Sequence, residues 1–392
     1  MYFLRHMKLP KKENILLLGA RGCGKSLYLR NNFKKEMVLW IDLLKAEEED
    51  RYSKNPDLLF EEVAGLPPEK KYVVIDEIQK VPKLLDIVHS LIENSSKIFI
   101  LTGSSARKLK TSSANLLAGR ALYYRMFPLT SFELAESFDL SRALKFGTLP
   151  KVWANRSDKI RRKFLETYAL TYLNEEIRAE QVVKNLDPFR KFLEVAAQSN
   201  GKILNFSKIA KDVGADEKTV RNYFQILEDT LIGFFLEPFN TSLRKKISKS
   251  PKFFFFDTGV VRALAKQLTV DIQPGTYLWG DAFEHFVVLE MHRLSQYSGN
   301  QFSFSYFRTY DDLEIDVVVD RPGKDRLFIE IKSTEKVGDE HIKHLKLLSK
   351  DQQKGEFICL SRDKKNRHKD GIELLFWLDG LRKYFRGPDL KL

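Results

Sequence analysis

The strongest constraint on how this chain folds is a glycine-rich octapeptide that follows a short apolar run. Residues 14–18 are almost entirely aliphatic and predict a buried strand, and the octapeptide has the spacing G-x-x-x-x-G-K-[ST]. Its residues are Gly19, Ala20, Arg21, Gly22, Cys23, Gly24, Lys25 and Ser26. Glycines at these positions let backbone N–H groups curl around phosphate, and the N-terminus of the next helix adds the positive end of its dipole. The motif therefore predicts a strand–loop–helix unit that binds a nucleoside triphosphate.

The last residues of this motif have separate predicted roles. Lys25 is expected to reach the β- and γ-phosphates, Ser26 to ligate Mg²⁺, and Leu27 to complete the binding segment at the start of the helix. We expect ATP with Mg²⁺, and because no base-reading motif is visible, GTP remains a formal alternative. A glycine-rich turn formed by chance is the competing interpretation, which the preceding strand and the following helix disfavour.

A second motif lies further along the chain, where the apolar run 71–75 ends in Asp76 and Glu77. Asp76 matches the acid on the Mg²⁺ side of a phosphate-loop site. Glu77 stands where P-loop ATPases with a catalytic glutamate place the residue that polarises the attacking water. Two solvated acids at a strand end would be ordinary in isolation, but not after a complete phosphate loop. The pair predicts hydrolysis as well as binding.

Length and composition narrow the class of protein. A chain of 392 residues is expected to form about two to four domains. Its apolar fraction of 43% is typical of a soluble globular protein. No apolar stretch approaches the roughly 18–20 residues that span a bilayer, and the first residues do not resemble a signal peptide. The two cysteines, Cys23 and Cys359, suggest neither a disulfide framework nor a metal cluster. We therefore expect a cytoplasmic protein with no membrane partner.

The formal net charge of +13 favours a polyanionic partner, and nucleic acid is the leading candidate. A basic balance that only aids solubility, or that reflects the proteome of the source, is the alternative. Local clustering favours nucleic acid, because residues 244–252 contain no acid and five basic side chains. These are Arg244, Lys245, Lys246, Lys249 and Lys252. We expect them to lie against phosphate.

Strand and helix patterns alternate through about residue 130. Five short runs predict strands, at residues 14–19, 36–42, 71–76, 97–103 and 121–127. Because these runs are nearly continuous in apolar residues, we expect strands buried on both faces, as in a parallel sheet covered by helices. The residues that follow, 131–185, turn helical and are expected to form a lid beside the nucleotide.

From about residue 186 the pattern changes to short helices separated by a glycine turn. One face of the last of these helices is apolar, and another carries Lys218, Arg221 and Gln225. The arrangement predicts a helix-turn-helix followed by a wing. The second helix of the helix-turn-helix is expected to enter a DNA major groove. A basic helix face that is merely solvated is the alternative.

The last third of the chain carries three acids and a lysine that suggest metal-dependent chemistry. Glu284 lies in a predicted helix, Asp316 in a predicted strand, and Glu330 and Lys332 in the next strand. Residues two apart on a strand point to the same side, so Glu330 and Lys332 share a face. If Asp316 faces the same site, the acids can hold Mg²⁺ or Mn²⁺ while Lys332 orients or activates water against a phosphodiester. An exposed E-x-K salt bridge is the alternative.

Together these residues resemble a family of prokaryotic AAA-type ATPases that join a P-loop domain to a winged helix and a C-terminal domain of the PD-(D/E)XK nuclease superfamily. Beyond the phosphate loop and the C-terminal acids, the resemblance rests on the segments 101–105, 117–120, 127–133, 251–259 and 280–284. It implies a multidomain α/β chain with a parallel αβα ATPase core. The implied divisions are the core over 1–130, a helical lid over 131–185, a winged helix-turn-helix over 186–250 and a restriction-endonuclease-like α/β domain over 251–392.

The resemblance also implies roles for residues outside the main motifs. Arg120 corresponds to the arginine finger that a neighbouring subunit presents to the γ-phosphate, with a fold-stabilising ion pair as the alternative. Ser104 or Thr102 corresponds to the polar sensor near the γ-phosphate. The resemblance therefore allows for a homo-oligomer, in which Arg120 of one subunit acts on the nucleotide of its neighbour. The sequence does not decide between this arrangement and a monomer. Ser26 and the Ala-Arg-Gly-Cys of the loop depart from the usual family residues but keep the chemistry.

Two functions follow from these patterns. The first is an ATP- and Mg²⁺-dependent ATPase that acts on DNA, in which Glu284, Asp316, Glu330 and Lys332 cleave phosphodiester bonds with Mg²⁺ or Mn²⁺. The second is a nucleotide-controlled switch or scaffold that binds a protein or nucleic-acid partner through an inactive nuclease-like domain. Convergence of the Asp316 and Glu330 carboxylates within metal reach favours the first function, and divergence favours the second.

Overall fold

The structure is a computed structural model that describes residues 2–105, 117, 119–172, 186–239, 250–309, 313–351 and 354–387. Within these ranges, two β-sheets organise the chain, one of five strands and one of eight. No helix in the same ranges is long and apolar enough to cross a lipid bilayer.

The N-terminal sheet is parallel throughout, as its apolar strands predict. Its strand order is β2-β3-β4-β1-β5. The strands are β1 (Ile15–Leu18), β2 (Val38–Asp42), β3 (Tyr72–Asp76), β4 (Ile98–Gly103) and β5 (Leu122–Arg125). Each lies inside the run predicted for it. Because β1 and β3 both flank β4 in parallel, the phosphate loop after β1 and the acids at the end of β3 meet at one edge of the sheet.

Helices cover both faces of this sheet, since alternate residues of a strand point to opposite sides. One face, which includes Leu17, packs with Tyr28 and Leu29 of the first helix. The other face, which includes Val73 and Ile75, packs with the three helices that follow. The four are α1 (Lys25–Asn32), α2 (Ala46–Lys54), α3 (Leu58–Ala64) and α4 (Leu84–Asn94). Burial on both faces explains why the strands have continuous apolar sequences.

Short helices follow the sheet. They are α5 (Ser131–Leu134), α6 (Leu140–Phe146), α7 (Pro150–Ala154) and α8 (Asp158–Thr167). A capping box starts α5: the Thr130 hydroxyl accepts from the Glu133 N–H, and the Glu133 carboxylate accepts from the Thr130 N–H. A π-helical turn, Tyr168–Tyr172, continues α8 and brings the Tyr168 hydroxyl to the phosphate loop.

Three helices and a pair of strands come next. They are α9 (Leu186–Gln198), α10 (Phe206–Val213), α11 (Glu217–Asp229), β6 (Gly233–Pro238) and β7 (Lys252–Phe255). The apolar face of α11 is buried as predicted, and the rings of Phe192 and Phe224 pack edge to face with centroids 4.8 Å apart. β6 and β7 pair in antiparallel fashion.

The C-terminal sheet is mixed, with the order β12-β13-β11-β10-β9-β8-β6-β7. Its further strands are β8 (Ser303–Arg308), β9 (Glu314–Asp320), β10 (Leu327–Lys332), β11 (Glu356–Ser361), β12 (Arg367–Lys369) and β13 (Ile372–Phe376). The helices are α12 (Thr258–Leu264), α13 (Tyr277–Tyr297), α14 (Lys343–Asp351) and α15 (Trp377–Tyr384). Because β6 also pairs in parallel with β8, this sheet continues across the boundary predicted between residues 250 and 251.

Candidate functional site

The glycine-rich octapeptide forms the turn between β1 and α1. Gly22 and Gly24 have φ values of 83° and 97°, in the left-handed region that favours glycine. Gly19 is restricted by space instead, since a Cβ there would lie 2.3 Å from the carbonyl oxygen of Met126. Backbone conformation and close packing therefore both require glycine in this loop.

The rest of the loop is partly buried and accepts a hydrogen bond from a later helical segment. Ala20 and Cys23 are buried, whereas Leu27 on α1 is exposed. The hydroxyl of Tyr168 donates to the Arg21 carbonyl oxygen at 2.8 Å. The helical segment after the sheet thus contacts the backbone of the phosphate loop directly.

Lys25 is buried close to the start of the loop. Its Nζ donates to the Gly19 carbonyl oxygen at 2.6 Å and lies 3.6 Å from Glu77 Oε1. A cation beside an amide-lined loop is complementary to an anion, and a phosphate oxygen accepts a hydrogen bond more strongly than a carbonyl does. The residues present therefore fit a triphosphate.

Ser26 and Asp76 are brought together, as a Mg²⁺ site requires. The Thr102 hydroxyl donates to the Asp76 carboxylate, and the Ser26 hydroxyl lies near enough to that carboxylate to lower its pKa. Burial raises the pKa of Asp76, and the two hydroxyl groups oppose that rise. Hydroxyl and carboxylate oxygens are ligands that suit Mg²⁺. Ser26 and Asp76 therefore fit the ion predicted for them.

Glu77 has φ 61° and ψ 49°, a left-handed conformation that is uncommon for a residue with a side chain. Its N–H donates to Thr102 Oγ1 at 3.1 Å, and its Oε2 accepts from Ser104 Oγ at 2.9 Å and from Gln79 Nε2 at 2.5 Å. Burial raises the pKa of Glu77, but Lys25 and the two side-chain donors outweigh burial and hold the pKa below its ordinary value. The carboxylate is therefore ionised at neutral pH and able to accept a proton.

Sequence reasoning did not identify Gln79 and Tyr168 as parts of this site. A signal for Gln79 was available, because it lies two residues after Glu77 at the point where the chain leaves the sheet. No local pattern marks Tyr168, since its contact with the loop joins residues 147 positions apart.

Arg120 is paired within its own chain. Its Nε and one terminal nitrogen lie 3.0 and 2.7 Å from Glu93 Oε1, and its side chain is 40% exposed. Asn14 Nδ2 donates to the Arg120 carbonyl oxygen at 3.2 Å and anchors the backbone beside β5. This geometry is that of the fold-stabilising ion pair, and the role of Arg120 as a finger in trans stays a prediction.

The residues predicted for phosphodiester chemistry are close enough to act on one another electrostatically. Lys332 Nζ lies 2.5 Å from Glu330 Oε1, and the Ile331 N–H donates to Asp316 Oδ2 at 2.7 Å. Burial and then the charge of Asp316 raise the pKa of Glu284 and of Glu330, each to about 8. Burial alone would lower the pKa of Lys332, but Asp316 and Glu330 raise it. We refer to Glu284, Asp316 and Glu330 as the carboxylate cluster.

The carboxylate cluster is not arranged as a finished metal site. Among the described residues, no group of three or more His, Cys, Asp or Glu side chains is placed to hold a metal ion. However, Glu330 Oε2 is buried and has no hydrogen-bond partner within the described ranges. A buried carboxylate oxygen without a partner is costly, and a divalent cation is a group that would satisfy it. Asp316 and Glu330 as metal ligands stay a prediction.

The prediction that Lys252 lies against phosphate is wrong. Lys252 begins β7, is 3% exposed, and places Nζ 2.6 Å from Glu314 Oε1 and 4.0 Å from Glu284 Oε1. Burial would lower the pKa of Lys252, but Glu284, Asp316 and Glu314 raise it. The basic run suggested a solvent-exposed segment, whereas strand pairing buries this one residue beside acids. Lys252 thus supplies a second cation to the carboxylate cluster.

The predicted nucleic-acid face of α11 is exposed, and part of it is already paired. Arg221 donates to Glu217 Oε1 at 2.6 and 3.1 Å, and its guanidinium lies 3.8 Å from the Phe206 ring centroid. Lys218 and Gln225 are exposed. The other predicted contacts lie outside the described residues; they are Arg244, Lys245, Lys246 and Lys249.

Three family models match successive parts of the chain. Residues 11–135 match an AAA domain. Residues 137–271 match a Domain of unknown function (DUF8612), and residues 279–377 match another, DUF4143.

The similar proteins align with most of the chain, but at low sequence identity. An uncharacterized protein of Mycobacterium tuberculosis is 25% identical over 325 residues, covering 82% of this chain and 70% of that protein. One of Methanocaldococcus jannaschii is 25% identical over 351 residues, covering 77% and 72%. Among solved structures, the ORC1 protein of Aeropyrum pernix in complex with DNA is 12% identical, covering 66% of this chain and 87% of that chain. The TM-score of that comparison is 0.30.

The matched AAA domain contains every residue of the phosphate loop, together with Asp76 and Glu77. Its parallel sheet brings these residues to one edge, where Lys25 and Ser26 contact the two acids. Residues 11–135 of this chain therefore form an AAA-type P-loop ATPase domain.

Proposed function

We propose that this chain hydrolyses ATP with Mg²⁺ and acts on DNA. The observation that carries the proposal is the meeting of Lys25, Ser26, Asp76 and Glu77 at the end of one parallel sheet. Three of these four side chains are charged and buried. Because buried charges are costly unless they are paired or bind a ligand, a site for a charged ligand accounts for all of them.

Each of these residues has a distinct role in the proposed reaction. Lys25 leaves the Gly19 carbonyl and binds β- and γ-phosphate oxygens, while Ser26 and Asp76 would hold Mg²⁺, whose charge offsets that of the phosphates. The Glu77 carboxylate accepts a proton from a water molecule as the water oxygen bonds to the γ-phosphorus. The bond between the γ-phosphorus and the bridging oxygen breaks, and its electron pair leaves with ADP.

Replacing Glu77 tests the ATPase part of the proposal. We expect Glu77→Gln to lower the steady-state ATPase rate by about 10²–10⁴-fold, because the proton acceptor is lost. Calorimetry should still detect ATP binding, since the loop and Lys25 are unchanged. The exposed Glu69→Gln serves as the control. Turnover equal to wild type would refute the role of Glu77, and absence of nucleotide binding by the wild-type protein would refute the proposal.

DNA is proposed as the partner on two grounds. The chain carries a formal net charge of +13, and α10, α11, β6 and β7 follow one another in the order of a winged helix, with α11 in the place of the recognition helix. α11 itself contains two basic and three acidic residues. We therefore propose that many of the phosphate contacts come from outside α11, including Arg244, Lys245 and Lys246.

A salt series measures these phosphate contacts. Duplex DNA is titrated at several salt concentrations, with and without ATP, and the slope of log K against log salt falls by about 0.9 for each phosphate neutralised. We expect a steep slope that becomes shallower by about 1 in Lys218→Ala and is unchanged in Lys54→Ala, which alters an exposed lysine of α2. A wild-type protein that does not bind DNA at low salt would remove DNA from the proposal.

We further propose that the carboxylate cluster cleaves phosphodiester bonds in DNA. Its support is the closeness of Lys332 to Glu330 and the unpartnered oxygen of Glu330. Linear and circular DNA incubated with Mg²⁺ or Mn²⁺ should be cut by the wild-type protein and left intact by Asp316→Asn.

One observation favours a second candidate function. In the part of the chain that the structure describes, no three His, Cys, Asp or Glu side chains are placed to bind a metal ion. In addition, the ammonium groups of Lys252 and Lys332 already form ion pairs with nearby carboxylates. A nucleotide-controlled switch or scaffold would use this domain to dock a protein or nucleic acid. If the protein binds its partner but cleaves no DNA with any metal ion or nucleotide, the switch is the correct function.

A further inference from the structure

We propose that Gln79 is a positioning residue for Glu77, holding the carboxylate in the orientation that hydrolysis requires. The inference rests on the proposed ATPase function. It concerns a residue that lies outside both the phosphate loop and the two acids at the end of β3.

Gln79 and Ser104 hold one oxygen of Glu77 from two different elements. Gln79 lies in the turn Ile78–Lys80 and is 8% exposed. Its Nε2 donates to Glu77 Oε2 at 2.5 Å and to Ser104 Oγ at 3.0 Å, and Ser104 Oγ donates to the same Glu77 oxygen at 2.9 Å. Because an ionised carboxylate only accepts, the amide nitrogen of Gln79 must face Glu77. Oε2 is thus restrained, and Oε1 faces Lys25.

The backbone of Glu77 is restrained as well. Its left-handed conformation is held by the hydrogen bond from its N–H to Thr102 Oγ1. A residue with a side chain keeps such a conformation only where the surroundings impose it, and these cases cluster at functional sites. Gln79 completes the restraint by fixing the side chain that this backbone presents.

The other end of the Gln79 amide argues against a purely stabilising role. Gln79 Oε1 is buried and has no hydrogen-bond partner among the residues described. A Cβ at residue 103 would lie only 2.7 Å from this oxygen, so the amide fits here because residue 103 is glycine. A buried carbonyl oxygen without a partner costs free energy that an apolar side chain of the same length would avoid. Such a side chain would lack the two N–H groups that Gln79 donates to Glu77 and Ser104.

A double-mutant cycle at residues 79 and 77 tests the inference. Gln79→Met keeps the length of the side chain and removes its donors. We expect kcat to fall by about 10²-fold, which a misplacement of about 1 Å can cost, while the Kd for a non-hydrolysable ATP analogue stays within about threefold. In the Glu77→Gln background, Gln79→Met should lower the residual rate no further, because a residue that acts through Glu77 then has nothing to position. Gln301→Met, at an exposed site, is the matched control.

Three results would overturn the inference: an unchanged kcat, a parallel loss of analogue affinity, or an additive effect in the Glu77→Gln background. If Gln79→Met does not fold, Gln79→Ala removes the same donors and enters the same cycle with the same criteria. Failure of the proposed function looks different, since the wild-type protein itself would then show no ATP hydrolysis. An active wild type, an inactive Glu77→Gln and a fully active Gln79→Met would refute the inference alone.

Discussion

At the scale of single residues, Glu284 illustrates how placement controls protonation. Its carboxyl group lies near Asp316, Lys252 and Lys332, and burial followed by the charge of Asp316 raises its pKa from 4.5 to about 8. Between these two values the folded protein keeps a proton that the unfolded chain releases. Glu284 therefore makes the free energy of unfolding fall as pH rises from about 5 to about 8.

We expect Glu284→Gln to remove this part of the pH dependence, because an amide does not ionise. Relative to wild type, the free energy of unfolding of the variant should rise with pH across this window. The limit for one proton is about 1.4 kcal/mol per pH unit, and the change should be smaller because the side chain is 28% exposed. Urea unfolding at intervals of pH, with a chelator present, measures the difference. Parallel curves for the two proteins would contradict the raised pKa.

At the scale of elements, Asp257 joins the short helices after the first sheet to α12. Its carboxylate caps α12 by accepting from the N–H groups of Gly259 and Val260, at 3.0 and 3.1 Å, and it also accepts from the Thr148 N–H at 2.8 Å. The turn before Thr148 packs tightly against the same side chain, because a Cβ at Gly147 would lie 1.9 Å from Asp257 Oδ1. One buried carboxylate therefore fixes two elements.

We expect Asp257→Ala to lower the free energy of unfolding by about 2–4 kcal/mol. The loss combines a helix cap, worth about 1 kcal/mol, with buried N–H groups left without an acceptor. Asp216→Ala is the control, since Asp216 caps α11 at an exposed site by accepting from the Thr219 N–H at 2.8 Å. The control should lose only about 1 kcal/mol. Equal losses in denaturant titrations would show that the contact with Thr148 contributes nothing.

At the scale of the whole molecule, Arg5 connects parts of the chain that are far apart in sequence. Its guanidinium donates to the carbonyl oxygens of Cys23 in the phosphate loop, at 3.1 Å, and Phe127, at 2.5 Å. It also pairs with the Glu133 carboxylate at 3.1 Å and donates to the hydroxyl of Tyr297, the last residue of α13, at 3.0 Å. At 1.5 Å per residue, α13 carries this connection about 20 Å along its axis to Glu284. The phosphate loop and the carboxylate cluster are therefore joined through one helix.

We expect Arg5→Met to lower the free energy of unfolding by about 3–5 kcal/mol, because it leaves the fully buried Glu133 carboxylate without its cation. Arg51→Met is the matched control: Arg51 pairs with Glu48 and Glu62, but its side chain is 45% exposed. The control should change stability by no more than about 1 kcal/mol. Guanidinium titrations distinguish the two, and similar losses in both variants would contradict a central role for Arg5.

The candidate site was predictable where it depends on residues close in sequence. The phosphate loop and the acids at the end of β3 follow from local spacing, and the strand order then brings them together. Gln79 was within reach of the same reasoning. Tyr168 and Arg5 were not, because their contacts with the loop depend on how separate elements pack.

The parallel sheet of the ATPase domain and the turn that forms its phosphate loop could be predicted from the amino-acid sequence alone, because apolar runs and glycine spacing act over a few residues. The environment of each charged side chain, in contrast, depends on how distant segments pack together. Lys252 was expected to lie against phosphate as part of a basic segment, yet strand pairing buries it beside Glu314. Whether a charged side chain meets water or a partner depends on burial, and burial is set by residues distant in the sequence.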